Sequence, residues 1–396
     1  MQRLTLLLLA VACTVPATEI ATGKMLGKGY DARAFYTQSA GKWVKTYTGP
    51  QYRPEAVGRL MNLRIAQAVV HDEWLTEAPF DPEAHTTRVI AALDTYRRHG
   101  ILAINVSLQG ANPGYQLSNG VVKRDRHYKQ GPGKGMHTSA FRPDGSLKSD
   151  WMSRTLRLAR ELDRRGMILN LIYFYGYQDE VFPDTASIDK AATNATDWLI
   201  DNKLRNVIVE IANESDGAAY DHDKYIHLQM GKLIQLIRSR FPARKAGYTL
   251  PISASTLGGN SMRVYEGVQQ YADYTAIHGN HLSPEAKAKR VAELSADPSV
   301  PGPLYMNEDN NGRDNNGRDT TLANLKLELA ACDAVFDAGG SWGYMPWRQL
   351  QIFPFRHIAP AASATVRDDM PVDQRDPAYF KAVLEHIASR VLKSKP

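Results

Sequence analysis

The sequence predicts a (β/α)8 TIM barrel in a single domain, and three observations predict it. Apolar runs alternate eight times with amphipathic segments, the pattern of repeated βαβ units whose sheet is covered by helices. At 396 residues the chain is long enough for eight such units, which together take about 250 residues. No Gly-rich phosphate-binding turn follows an early strand, which disfavours a doubly wound open sheet with a nucleotide crevice.

The elements follow in chain order. Met1-Gln2-Arg3 precedes an apolar stretch from Leu4 to Cys13, too short to span a bilayer, and then Val15-Pro16-Ala17; a positive start, an apolar centre and small residues read as a secretory signal peptide over residues 1–17. Lipoprotein processing at Cys13, after Leu9-Ala10-Val11-Ala12, is the second reading, since Ala10 stands where such sites usually have Leu. Residues 18–57 are expected to form an N-terminal extension packed on the barrel, and 58–396 the barrel itself. Strands are expected at residues 60–64, 101–108, 167–175, 207–213, 248–254, 274–278, 304–308 and 342–347. Helices fit residues 82–99, 150–165 and 320–338, each opened by a helix-start residue and closed by Gly, and also 190–203, 224–241, 261–272, 284–295 and 376–392. Two long connections, 109–149 and 310–319, follow strands, on the side of a barrel where loops build sites.

Composition bounds the function. With 43% hydrophobic and 23% charged residues, the chain is an ordinary globular protein rather than a disordered or membrane-spanning one. A net charge of +6 permits an acidic partner, but there is no zinc-finger spacing, RNP-like aromatic motif or basic helix, which argues against nucleic acid. No membrane partner is expected unless Cys13 is lipidated. After export only Cys332 remains, in an apolar helical setting, so no intramolecular disulfide is available and a core role is favoured over a nucleophilic one.

Two strand-like runs end in glutamate: Val207-Ile-Val-Glu-Ile-Ala-Asn213-Glu214 and Leu304-Tyr-Met-Asn307-Glu308. Strand ends face the mouth of a barrel, so both carboxylates are expected in one cleft. Paired carboxylates flanking one bond are what glycoside hydrolysis requires. Period-2 parity places Glu308 with Leu304 and Met306 and turns Asp309 outward. The same parity puts Glu210 inside the barrel, where it needs a partner; Arg64 is a candidate.

These residues resemble glycoside hydrolase clan A, the retaining (β/α)8 glycosidases. In that clan the acid/base follows an Asn at the end of the fourth strand and the nucleophile ends the seventh. The resemblance implies Glu214 as acid/base, Asn213 as ligand of the sugar hydroxyl beside the scissile bond, Glu308 as nucleophile and no cofactor. His278, in Ala276-Ile277-His278-Gly279-Asn280, looks like the histidine the clan often carries at the end of strand six; where the clan commonly has an aromatic residue two positions later, this chain has Asn280. Trp347 or Trp342 matches the clan's aromatic platform.

Further substrate-binding candidates are Tyr175 or Tyr177, which could stack on a sugar, and the amides of Gln109, Asn112, Asn310 and Asn311, for which turn formation is the competing explanation. Lys123, Arg124, Arg126, His127, Lys129 and Lys134 crowd the second loop and suit an anionic carbohydrate, although a solvated face is the commoner role for such a run. His278 and His281 have His-x-x-His spacing, but no further ligand is spaced to complete a metal site. The expected function is therefore a secreted or periplasmic retaining glycoside hydrolase of poly- or oligosaccharides. The competing readings are inversion by the same pair, a metal-dependent hydrolase, and a non-catalytic carbohydrate-binding barrel.

Overall fold

The computed structural model describes residues 17–71, 80–110, 138–217, 219–257, 262–310, 320–353 and 355–394, together with the backbone of two short strands, Gly114–Gln116 and Val122–Arg124. Eight parallel strands form the barrel: β1 (Asn62–Arg64), β2 (Ala103–Ser107), β3 (Ile168–Phe174), β4 (Val207–Ala212), β5 (Ile252–Ser253), β6 (Thr275–His278), β7 (Leu304–Glu308) and β8 (Gly343–Tyr344). They pair in the order β5-β4-β3-β2-β1-β8, with β6 and β7 paired separately. Parallel bridges Ser255↔Ala276, Tyr305↔Ser341 and Asp309↔Tyr344 join the two sets and close the ring. A helix follows each strand: α1 (Pro82–Arg98), α2 (Ser149–Arg164), α3 (Thr185–Asp201), α4 (Met230–Ala243), α5 (Glu266–Tyr271), α6 (Pro284–Ala296), α7 (Leu322–Asp337) and α8 (Val372–Val391).

Local chemistry sets the ends of these elements. The Asp81 carboxylate accepts from the backbone N–H of Glu83 and Ala84 and Pro82 occupies the first turn of α1, while Arg97 and Arg98 close it, a capped helix with cations at its negative end. Ser283 and Thr321 cap α6 and α7 in the same way. Helix α3 starts before the expected residue 190 because Asp184 caps it, accepting from Ser187 N at 2.8 Å. Strand β5 is shorter than expected: Pro251 accepts from Val209 N at 2.8 Å but has no N–H to return. Strand β8 is also short, and Trp347 opens a separate helical turn, Trp347–Leu350, instead of ending the strand. Gly343 is required there, because a Cβ would lie 2.0 Å from Asn62 Oδ1 and 2.3 Å from Met306 O.

Residues 20–45 form an antiparallel three-stranded sheet, Ile20–Thr22, Phe35–Ser39 and Lys42–Lys45. Ile20 N donates to Arg205 O just before β4, and the Phe35 ring packs 6.1 Å from Tyr274 and 5.9 Å from Tyr305 at the entrances to β6 and β7. This sheet covers the N-terminal mouth and leaves the opposite face to the loops. On that face Gly114–Gln116 and Val122–Arg124 form a hairpin whose first strand also pairs with Ile352–Phe353, joining the loops after β2 and β8. Cys332 is buried on α7 and burial pushes its thiol pKa up, consistent with core packing. Residues 1–16, with Cys13, lie outside the described residues.

Candidate active site

The barrel interior carries a polar layer beneath its C-terminal mouth. Glu210, fully buried on β4, accepts at Oε2 from Asn170 Nδ2 at 2.8 Å and Asn307 Nδ2 at 2.6 Å. Two amides therefore solvate this carboxylate in place of water. Arg64, the partner expected for it, instead directs its guanidinium toward the mouth, although it still feels the Glu210 charge.

At the mouth Arg64 Nε lies 2.9 Å from Glu308 Oε2 and Arg64 Nη2 donates to Asn213 Oδ1 at 2.7 Å. Burial opposes the guanidinium charge, but Glu308 foremost, with Tyr175 and Glu210, holds its pKa above the usual arginine value. Its bond to Oδ1 of Asn213 also fixes which end of that amide points away from the arginine. The Tyr175 ring lies 5.9 Å from the guanidinium; burial first, and then the Glu308 charge, pushes its phenol pKa up, so it remains a neutral hydroxyl. Tyr177 adopts φ 67° and its N–H donates to Ala219 O.

Glu214 lies two residues beyond β4 at φ 50°, a left-handed conformation that costs a non-glycine residue about 1–2 kcal/mol. Three bonds hold the turn: Asn213 N to Phe174 O at 2.9 Å, Glu214 N to Ser255 Oγ at 3.0 Å and Ser215 N to Ser255 O at 3.0 Å. The Glu214 side chain is 29% exposed and that of Glu308 5%. His278 Nδ1, buried at the end of β6, lies 3.0 Å from Glu214 Oε1 and 3.7 Å from Glu308 Oε2. Burial works against the imidazolium, but the Glu308 charge and the bond to Glu214 outweigh it, and the His278 pKa is raised. One ligand atom each from Glu214, His278 and Glu308 lies within 4.8 Å of the others.

That triad is the set among the described residues close enough to hold a metal ion, and its surroundings do not suit one. A cation on Glu308 Oε2 would displace or repel Arg64 at 2.9 Å, the guanidinium that already supplies positive charge to this cluster. His281 stands exposed at φ 68° and is not part of the cluster.

Other expected residues take different places. Asp309 turns away from Glu308 but is not solvent-facing: it is buried, accepts from Lys287 Nζ at 2.8 and 2.9 Å, and from the indole N–H of Trp342 at 2.8 Å. Trp342 is thereby excluded as a platform, its ring stacked on Tyr344; Trp347 is buried in its helical turn and is the remaining candidate. Gln109 is not an open sugar ligand. Its amide donates to Ser139 Oγ at 3.1 Å and Gln178 O at 3.0 Å and accepts from Tyr175 N at 2.7 Å, tying three loop segments together. Asn310 gives one of its two side-chain N–H groups to Met345 O at 2.9 Å. Asn112, Asn311, Arg126, His127, Lys129 and Lys134, and the side chains of Lys123 and Arg124, lie outside the described residues. Sequence reasoning missed Arg64 as the cation on Glu308. The signal was an arginine closing β1, as Glu308 closes β7.

Neither a family model nor a curated protein matches the sequence. Solved structures do. The GH5-4 broad specificity endoglucanase from Clostridium longisporum has a TM-score of 0.52 at 10% identity, over 84% of this chain and 95% of that one. The exo-beta-1,4-mannosidase from Opitutaceae bacterium strain TAV5 gives 0.48 at 15% identity, over 88% of this chain and 61% of that one, so the chain spans less than two thirds of that protein. The endo-1,4-beta-D-mannanase from Thermotoga petrophila gives 0.44 at 12% identity, over 72% and 88%. At these identities the likeness, carried by the endoglucanase, establishes the (β/α)8 fold.

Proposed function

We propose that the chain is a retaining glycoside hydrolase of poly- or oligosaccharides, a member of clan A in which Glu308 is the nucleophile and Glu214 the acid/base. One observation carries the reading: two carboxylates share the C-terminal mouth with one oxygen of each within 4.8 Å of the other. That suits the roughly 5–5.5 Å carboxyl separation of retaining enzymes better than the roughly 6.5–9.5 Å that leaves room for an inverting water. In the first step a Glu308 oxygen bonds to the anomeric carbon as its bond to the leaving oxygen breaks. The bonding pair goes to that oxygen, which takes a proton from Glu214. In the second step water attacks the anomeric carbon and gives its proton to Glu214, while the ester bond to Glu308 breaks. Arg64 sets its positive charge beside Glu308, and Asn213 is placed to bind a sugar hydroxyl beside the bond.

The test is a panel of neutral and anionic polysaccharides, with the anomer of the first product read by NMR. Release of a product with the substrate's configuration supports the reading, and an inverted product rejects retention. Binding with no hydrolysis anywhere on the panel favours the non-catalytic barrel. The same panel at two salt concentrations examines the basic second loop, since an anionic glycan held by exposed charges binds more weakly as salt rises. Export is part of the proposal: the mature chain should begin near Thr18, or at a lipid-modified Cys13. N-terminal sequencing that finds intact Met1 in a soluble cytosolic fraction would refute it.

A further inference from the structure

Glu308 is held differently at its two oxygens. The cations converge on Oε2, with Arg64 Nε at 2.9 Å and His278 Nδ1 at 3.7 Å. Oε1 accepts from Asn280 Nδ2 at 2.7 Å. Asn280 is buried two residues past β6, and its Oδ1 accepts from the backbone N–H of Asn310 at 2.9 Å, two residues past β7. A backbone N–H can only donate, so the carbonyl end of the amide must face Asn310 and the NH2 end must face Glu308. Supporting contacts keep this direction. Gly279 N donates to Glu308 O at 2.9 Å, Asn310 Nδ2 donates to Met345 O, and the buried Lys287–Asp309 pair sits beside Gly279.

We propose that Asn280 is the positioning residue of Glu308: it aims one neutral, permanent N–H at Oε1, with Asn310 as the group that orients it. The inference rests on reading Glu308 as nucleophile, and it assigns to an amide the place where the clan resemblance leads one to expect an aromatic side chain. The choice has a physical consequence. A hydroxyl donor could rotate away or lose its proton at high pH, whereas an amide so tethered does neither. Its bond favours the ionised carboxylate and restricts its rotation, at the oxygen the cations do not hold. Among the described residues, the other charged or titratable groups facing Glu308 include Arg64 from β1, Tyr175 after β3, Glu214 after β4 and His278 on β6. Of these, Arg64 and protonated His278 favour ionisation, ionised Glu214 opposes it, and Tyr175 is neutral.

The experiment is a 13C-carboxyl NMR titration of Glu308, its resonance assigned with Glu308→Gln, in the wild-type chain, Asn280→Ala and Asn280→Asp. Loss of a neutral donor should raise the Glu308 midpoint by about 0.5 to 1 pH unit in Asn280→Ala. In Asn280→Asp a carboxylate replaces the donor and the rise should be larger, about two units or more, because adjacent carboxylates resist joint ionisation. Asn280→Asp is nearly isosteric and keeps the acceptor for Asn310, so it carries the test even where Asn280→Ala does not fold. On an accepted substrate the acidic limb of kcat/KM should move with these midpoints, with KM little changed. An unmoved midpoint in the folded variants overturns the proposal. Failure of the nucleophile reading is seen separately, as no ester on Glu308 after incubating the wild-type chain with 2,4-dinitrophenyl 2-deoxy-2-fluoro-β-D-glucoside and the matching β-D-mannoside.

Discussion

The ends of β4 and β7 both deliver a glutamate to one mouth, yet they hold it in opposite ways. Glu308 is 5% exposed, the last residue of its strand and just past a register shift against β6, with Arg64 on one oxygen and Asn280 on the other. Glu214 is 29% exposed, beyond its strand at φ 50°, with His278 on one oxygen. A nucleophile must stay ionised and aimed, so a fixed cation at one oxygen and a fixed donor at the other serve it. A proton carrier must change its protonation state twice per turnover, and tight donors that favour the anion would hinder it. The asymmetry of support matches the asymmetry of the two proposed roles.

Removing each carboxylate's charge tests this most directly, with the largest expected effect. Glu308→Gln should lower kcat by about 10^4-fold or more on every accepted substrate, since the amide is nearly isosteric but is not a useful nucleophile. Glu214→Gln should cost about 10^2 to 10^4-fold on an ordinary leaving group and much less, in the first step, on an acidic phenol that departs without a proton. Steady-state and burst kinetics on dinitrophenyl and alkyl glycosides distinguish the two. Equal losses from Glu214→Gln on both leaving groups would end its assignment as acid.

Next in size is the support of the β7 glutamate. Arg64→Met leaves Glu308 buried without its ion pair and Asn213 without its orienting donor. Breaking a buried pair from one side costs roughly 3–5 kcal/mol, so a large fall in denaturation midpoint is expected along with lost activity. Arg64→Lys restores the charge but not the two-pronged reach to Glu308 and Asn213, and should recover stability better than kcat. Urea melts and kcat, measured on both variants, give the comparison. If Arg64→Lys recovers both equally, charge alone is what the arginine supplies.

The same contrast explains what could be read in the sequence. The glutamates and His278 were legible because each closes an apolar run, and strand ends meet at the barrel mouth. Side-chain partners were not. Parity placed Glu210 inside the barrel, but choosing Asn170 and Asn307 over Arg64 for it depends on distances across the barrel that no spacing encodes. Gln109 sits in the right loop, yet its side-chain amide is engaged by nearby protein groups at both ends, and a one-dimensional pattern cannot show that an amide is already occupied. Trp342 and Trp347 were separable only once the short β8 turned one indole onto Asp309. The overlong β5 reflects an apolar run continued through Pro251, whose missing N–H ends the ladder. Asp184 as a helix start was readable, but the apolar periodicity that located α3 begins later.

The smallest expected effect concerns His278, which bonds Glu214 and lies near Glu308. Its folded pKa lies above its ordinary value because Glu308 and Glu214 outweigh burial. A group of this kind binds its proton more tightly in the folded chain. Its stabilising contribution is therefore fully present below the unfolded value of about 6.5 and is lost as pH rises through the raised folded value. His278→Gln keeps a polar side chain and abolishes the titration, so the stability difference between wild type and variant should be larger at pH 6 than at pH 9, by urea denaturation at each pH. On activity the loss should stay below about 10^2-fold, because the imidazole touches Glu214 on its half-exposed side and Glu308 at 3.7 Å, beyond hydrogen-bond reach. The loss should also fall more on substrates that need a proton, since Glu214 is the nearer partner. A pH-independent stability difference would show that His278 acts by packing alone, and the difference between the two strand ends would then lie in Arg64 and Asn280.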